Sequence, residues 1–331
     1  MKSIHWLFRW EGALLLLLCM EFTVFSLLNA DFFNIGNLLF SINDFIFITI
    51  AAIPMTFVII TGGIDVSVGA VMGLTSILIG VLWINGASIV IAVMIALVIS
   101  ILAGFFNGLI IQMTSVEPLV VTLGTMFLYS GIALVISGGS KATGYEGING
   151  LPDSYVQFAN GIFLGIPNLF WLLLIMTVLF SILLRYTKYG RYVILTGMNE
   201  KAAKYSGIQT KRIVILAYML SGLGGGLGGI FLTAYFGSAR ADLGNEAILP
   251  VITAVVLGGA LITGGKGSIV GTVLASIVIG IMQYGLQMTG LTNEQSNVVI
   301  GVILIFSVMV RHSKIRYFFI KKNVSHRGGT T

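Results

Sequence analysis

The chain has 331 residues, 57% of them hydrophobic and only 9% charged, with eighteen Lys and Arg against twelve Asp and Glu. Mean hydropathy is +1.02. Soluble domains carry about 25% charged residues, and a water-soluble globule of this composition would expose large apolar patches. The composition therefore excludes a soluble fold and points to a chain whose solvent is the bilayer.

The leader "MKSIHWLFRW" is basic and precedes the apolar run "ALLLLLCMEFTVFSLL". The pair resembles a secretory signal, but Leu28 stands where a cleavage site wants a small residue, and the run is long enough to span. It is read as a retained first helix. The single cysteine, Cys19, lies in this run, is read as lipid-facing or packed, and cannot form an internal disulfide.

A bilayer core of about 30 Å needs about 20 apolar helical residues. Apolar runs occupy 11–29, 41–60, 69–84, 88–113, 119–137, 167–184, 213–236, 247–262, 269–289 and 296–310. The expected fold is all-α and polytopic, one domain over 1–331 with about ten transmembrane helices. Two runs, 69–84 and 247–262, are short and adjoin Gly-rich turns. Such segments read as discontinuous helices inside a bundle.

Charge sets the expected orientation. Fifteen of the eighteen Lys and Arg fall in the leader 1–10, the loop 185–212 and the tail 311–331. The positive-inside rule expects all three segments in the cytoplasm. Six runs separate leader from loop and four separate loop from tail, and both numbers are even, as shared sidedness requires. The net charge of +6 is thus a topology signal rather than a nucleic-acid footprint, since no basic domain stands clear of the membrane. The connection 138–166 is expected outside.

Within the loop 185–212, "NEKAAKYSGI" carries helix signals. Asn199 is a suitable cap, Glu200 suits the positive dipole end, and Gly207 ends the turn. Ala202 and Ala203 give the helix a small face that suits a groove on another protein; the plainer reading is a basic loop that only anchors topology.

"ITGGIDVSVG" at 60–69 contains Asp65, the only charged residue between Phe45 and Val116. The pair Gly62 and Gly63 breaks a helix and admits close backbone approach. Asp65, followed by Ser67, reads as the cap of a re-entrant helix or as a contact on a substrate or ion pathway. The pattern recurs as "ITGGKGSIVG" at 262–271, with Gly264 and Gly265 in the matching places. This reads as an internal repeat or, in a chain with 42 glycines, as a chance match. Asp44 is expected to open and cap the second span. Asn107, Thr122, Thr125, Gln283 and Gln287 either line a neutral pathway or bridge helices.

The segment Ala202, Ala203 and Gly207, with "TLGTMFLYSGIAL" at 122–134, "ITGGIDVSVG" and "VVLGGALITGGKGSIVGT" at 255–272, resembles ABC importer permeases of the ribose or monosaccharide type. "ATGYEGI" at 142–148, "YFGSARADLG" at 235–244, "PVITAVVLGGA" at 250–260 and "GLQMTGLTNEQS" at 285–296 are most similar to the permeases of autoinducer-2 importers. The resemblance covers nearly the whole chain. It implies a coupling helix at 199–207, a second homologous permease, two copies of an ATP-binding subunit and a periplasmic substrate-binding protein. It also implies a bacterial inner-membrane location. The chain itself is expected to bind no cofactor or metal, with ATP and Mg used by the partner ATPase. "GGKG" at 264–267 is no phosphate loop, because Ala260 holds the first glycine position and Gly267 the Ser/Thr position.

An ion-coupled secondary transporter is the rival class. Such proteins place paired acids, histidines or arginines in their spans, whereas His5, His312 and His326 all lie near the chain ends. Few charges suit a small, neutral, hydroxyl-rich cargo. Ribose and autoinducer-2 satisfy that criterion equally.

Overall fold

The computed structural model describes residues 10–114, 116–139 and 147–312. The expectations for the leader up to 9, for 140–146 and for the tail from 313 lie outside the described residues. In chain order the helices are α1 (Trp10–Leu28), α2 (Ile35–Ile60), α3 (Val68–Ile84), α4 (Ile89–Thr114), α5 (Pro118–Gly139) and α6 (Asp153–Asn160). Then come a two-residue hairpin, β1 (Ile162–Phe163) and β2 (Ile166–Pro167), and α7 (Asn168–Tyr186). The last six are α8 (Lys188–Met198), α9 (Glu200–Tyr205), α10 (Thr210–Phe236), α11 (Ile248–Leu257), α12 (Ile269–Met288) and α13 (Asn293–His312).

Every apolar run of the sequence forms a helix, although the run 247–262 is α-helical only over α11 and turns from Gly258. Among the described residues, seven helices are long and apolar enough to cross a bilayer: α1, α2, α4, α5, α7, α10 and α12. α3 and α11 are the shorter apolar helices, as the sequence expected. α2 begins earlier than its apolar run, because the Asn34 side chain caps it by accepting from the Gly36 and Asn37 amides. Asp44 therefore lies inside α2 and caps nothing.

α2 and α10 form the centre. Their most apolar stretches are 83% and 67% buried, against 22% for α1 and α5 at the rim. α10 earns its place through "SGLGGGLGG" at 221–229. Small residues let helix backbones approach where lipid offers no hydrophobic drive. A Cβ on Gly222 would lie 2.3 Å from the Ser100 carbonyl oxygen of α4, and one on Gly229 would lie 2.5 Å from the Met72 carbonyl oxygen of α3. The rim helices turn Leu27, Val98, Phe127, Val135 and Val178 outward. Cys19 is exposed there.

α6 and the hairpin cap one end of the bundle. The Tyr155 hydroxyl donates to the Ile230 carbonyl at 2.7 Å, and Phe158 stacks on Phe231.

Candidate functional site

The segment expected as a loop, 185–212, is two helices. α8 lies against α2, α7 and α10, with Gly190, Val193 and Thr196 buried and Tyr189 stacked on Phe57 of α2. α9 follows after one residue. Asn199 is its cap, its side-chain oxygen accepting from the Ala202 amide at 3.0 Å, and Glu200 opens the first turn. Gly207 (φ +81°) closes it, with the Ile208 amide donating to the Ala203 carbonyl. The two alanines face different ways. Ala203 is 4% exposed and seats α9 on the bundle together with Ile208. Ala203 is thus a seat rather than an outward contact, because α9 follows α8 after one residue and one face of its short turn must rest on α8 and α10. Lys201, Ala202 and Lys204 are exposed, and Tyr205 is 92% exposed. Tyr205 carries no motif of its own in the sequence; its only signal there is its place just before Ser206 and Gly207, at the helix tip.

The two ITGG segments lie against each other. The Gly265 amide donates to the Ile60 carbonyl at 2.8 Å, and Thr56 bonds Thr272 at 3.0 Å. Gly62 and Gly264, at matching places in the two strings, share one left-handed conformation, φ +86° and +87°, whereas Gly265 (φ +80°) is left-handed and Gly63 is not. The third member of the contact is α8. A Cβ on Gly197 would stand 1.7 Å from the Ile60 carbonyl oxygen and 2.6 Å from the Gly265 amide. Three backbones therefore meet with no side chain between them, immediately before Asn199 and α9.

Asp65 is 1% exposed. Ser67, not Asp65, is the N-cap residue of α3. Asp65 acts one step earlier, in an Asx turn. Its Oδ1 accepts from the Ser67 amide at 3.0 Å and the Ser67 hydroxyl at 2.6 Å. Its Oδ2 accepts from the Ser221 hydroxyl of α10 at 2.7 Å. Asn107 of α4 donates to Ser67 Oγ at 2.8 Å and accepts from Tyr129 of α5 at 3.1 Å. Thr122 of α5 reaches the Ile64 carbonyl at 3.1 Å. Thr125 bonds the Thr122 carbonyl within its own helix. This is a polar bolt through α3, α4, α5 and α10. Asn107 and Thr122 bridge helices in it.

Gln283 and Gln287 lie elsewhere. They line a cavity of about 530 Å³ between α2, α10 and α12, with Ser41, Asp44, Tyr235, Arg240, Asp242, Glu246 and Tyr284. The Tyr235 hydroxyl donates to Asp44. The Arg240 guanidinium forks onto both Asp242 oxygens, and this bond raises the Arg240 pKa above its ordinary value. Gln287 donates to Asn293 at 2.7 Å. α10 runs from the α9 end to this cavity in 27 residues, or about 40 Å at 1.5 Å per residue.

Among the described residues no group of three His, Cys, Asp or Glu side chains converges as a metal site would require. The model for the permease component of branched-chain amino acid transport systems matches residues 37–308. The chain is 44% identical to the autoinducer 2 import system permease protein LsrD of Yersinia enterocolitica over 328 residues, 99% of each chain. It is 45% identical to LsrD of Klebsiella pneumoniae over 303 residues, 92% of this chain and 91% of that one. It is 42% identical to LsrD of Salmonella typhimurium over 322 residues, 96% and 97%. No solved structure matches. With the family match spanning most of the chain and full-length relatives at this identity, the chain belongs to the permease-component family of ABC importers.

Proposed function

We propose that this permease is one translocation subunit of an ATP-driven importer of autoinducer-2, paired with a second homologous permease. Near-complete alignment with proteins named for that cargo supports the choice of substrate. Two copies of an ATP-binding subunit drive it with ATP and Mg, and a periplasmic binding protein delivers the cargo at the α6 end. The chain crosses the inner membrane ten times, with both termini and α9 in the cytoplasm; the clustering of fifteen of eighteen Lys and Arg supports this orientation.

α9 carries the reading. A six-residue helix is marginal alone in water, yet here it is capped at both ends and seated by one buried alanine. Its free face offers a small residue, Ala202, beside an exposed tyrosine. Tyr is enriched among the few side chains that dominate protein interfaces. Ala202→Glu and Tyr205→Ala are each expected to weaken ATPase association by at least about 2 kcal/mol, roughly thirtyfold. The check is co-purification of the ATPase, with membrane level and permease pairing as controls for folding. Normal association in both variants would remove α9 as the docking surface.

Orientation has its own test. In a Cys19→Ser background, an impermeant thiol reagent should label Gln157→Cys in intact cells and leave Lys204→Cys unlabelled until the membrane is opened. The reverse pattern would invert the topology.

A further inference from the structure

The cavity at the far end of α10 has a second lobe. A neighbouring space of about 490 Å³ shares Ser41, Asp44, Tyr235 and Tyr284 with the first. Each lobe falls within the range of small-molecule sites, about 300–1,000 Å³. Asn43 lines the second lobe, is 5% exposed, and its Oδ1 has no hydrogen-bond partner in the structure. Buried polar atoms are ordinarily satisfied; this oxygen is closed off from the space as it stands, and a turn of the Asn43 amide would present it to a ligand in the second lobe.

The wall chemistry defines the ligand. Asp44 stands where the lobes meet, oriented by Tyr235. One Asp44 oxygen takes that hydroxyl, and an ionised carboxylate has acceptor capacity for more. Glu246 and the Gln283 carbonyl add acceptors. Arg240 is occupied by Asp242, so no unpaired cation lines the first lobe among the described residues. An anionic ligand would meet Asp44 and Glu246 without compensation. A metal ion needs its donors at one point, and these carboxylates are spread around the wall. A distributed set of acceptors instead suits a molecule that carries several O–H donors. Tyr235 and Tyr284 add flat apolar faces for the carbon face of a ring.

We propose that this two-lobed cavity is a binding site for a small, uncharged, polyhydroxylated ring molecule, with Asp44 and Gln283 as its hydroxyl partners and Asn43 completing the second lobe. The identification as the cargo's entry site rests on the import reading; the binding chemistry does not.

The test uses the whole importer in lipid nanodiscs, with the hydrated furanone form of autoinducer-2 and D-ribose as neutral probes and D-ribose 5-phosphate as the anionic one. Saturation-transfer NMR reads binding without ATP. Saturable binding of at least one neutral probe and none of the phosphate is expected. Asp44→Asn and Gln283→Leu should each raise the half-saturation concentration about tenfold, the scale of one lost hydrogen bond to a charged or buried group. KM for uptake should rise in parallel, while ATPase co-purification stays normal. Absence of saturable neutral-probe binding, or binding and KM unchanged in both variants, overturns the site. Variant-sensitive binding in an importer that hydrolyses ATP but moves no autoinducer-2 would leave the site standing and sink the import reading instead.

Discussion

Gly197→Ala is expected to abolish uptake and to sharply lower the yield of folded permease. One methyl group is the whole change. Its carbon would lie 1.7 Å from the Ile60 carbonyl oxygen and 2.6 Å from the Gly265 amide nitrogen. Neither obstacle is a side chain able to change rotamer. Both belong to the hydrogen bond that joins the ITGG turns. Overpacking a close-packed core costs about 1–3 kcal/mol even where side chains can yield, so about 3 kcal/mol is a lower bound for this site. Gly131→Ala in α5 is the control. Beyond its own helical backbone no atom lies within 4 Å of its added methyl, and helix propensity favours alanine by about 1 kcal/mol. Thermal unfolding followed by fluorescence-detected size exclusion should therefore separate the two: a lower midpoint for Gly197→Ala, and an unchanged or higher one for Gly131→Ala. A wild-type midpoint for Gly197→Ala would mean that the three backbones do not meet as described.

Asp65→Leu is the second large effect. It strips acceptors from the Ser67 amide, the Ser67 hydroxyl and the Ser221 hydroxyl. Leaving a buried donor unpaired costs about 1–3 kcal/mol each, so three together cost about 3–9 kcal/mol, most of the about 5–15 kcal/mol that holds a fold together. Little folded protein should reach the membrane. Asp65→Asn differs. Its carbonyl still accepts from Ser67, and its NH₂ meets Ser221, whose hydroxyl can rotate to accept. That variant should retain most folded protein and a large part of the uptake. If Asp65→Asn folds normally yet transports nothing, the negative charge has a role beyond the bolt.

The helices were legible because apolar run length alone marks a segment that must hide its backbone from lipid. The α9 caps were legible because Asn199 and Gly207 declare themselves locally. α8 was not. "KYGRYVILTGM" holds two glycines and is rich in β-branched residues, which lower helix propensity, and packing on α2, α7 and α10 overrides that. The facing of Ala202 and Ala203 was hidden as well, because adjacent helical residues look alike until a neighbour fixes which one is inside. The matching ITGG strings are visible in the sequence, but not that the two segments touch. Gln283 and Gln287 share residue type with Asn107 and Thr122, and only the fold separates cavity wall from bolt. Asp44 resembles a cap only because it stands at the start of an apolar run; Asn34, earlier in the chain, holds that place.

α10 is one uninterrupted helix of 27 residues. It starts beside α9 and ends at Tyr235 and Phe236 on the cavity wall. Its glycine stretch is clamped by α3 and α4 and contains no proline. Mechanically it is a lever about 40 Å long. A tilt of about 5° about that clamp would carry Tyr235, about 15 Å beyond Gly225 at 1.5 Å per residue, by about 1.3 Å, enough to take a hydrogen bond out of range. Tyr235 could not then keep hold of Asp44 unless α2 tilted with it. A small rotation at one end of the helix would thereby make or break a single polar contact at the other.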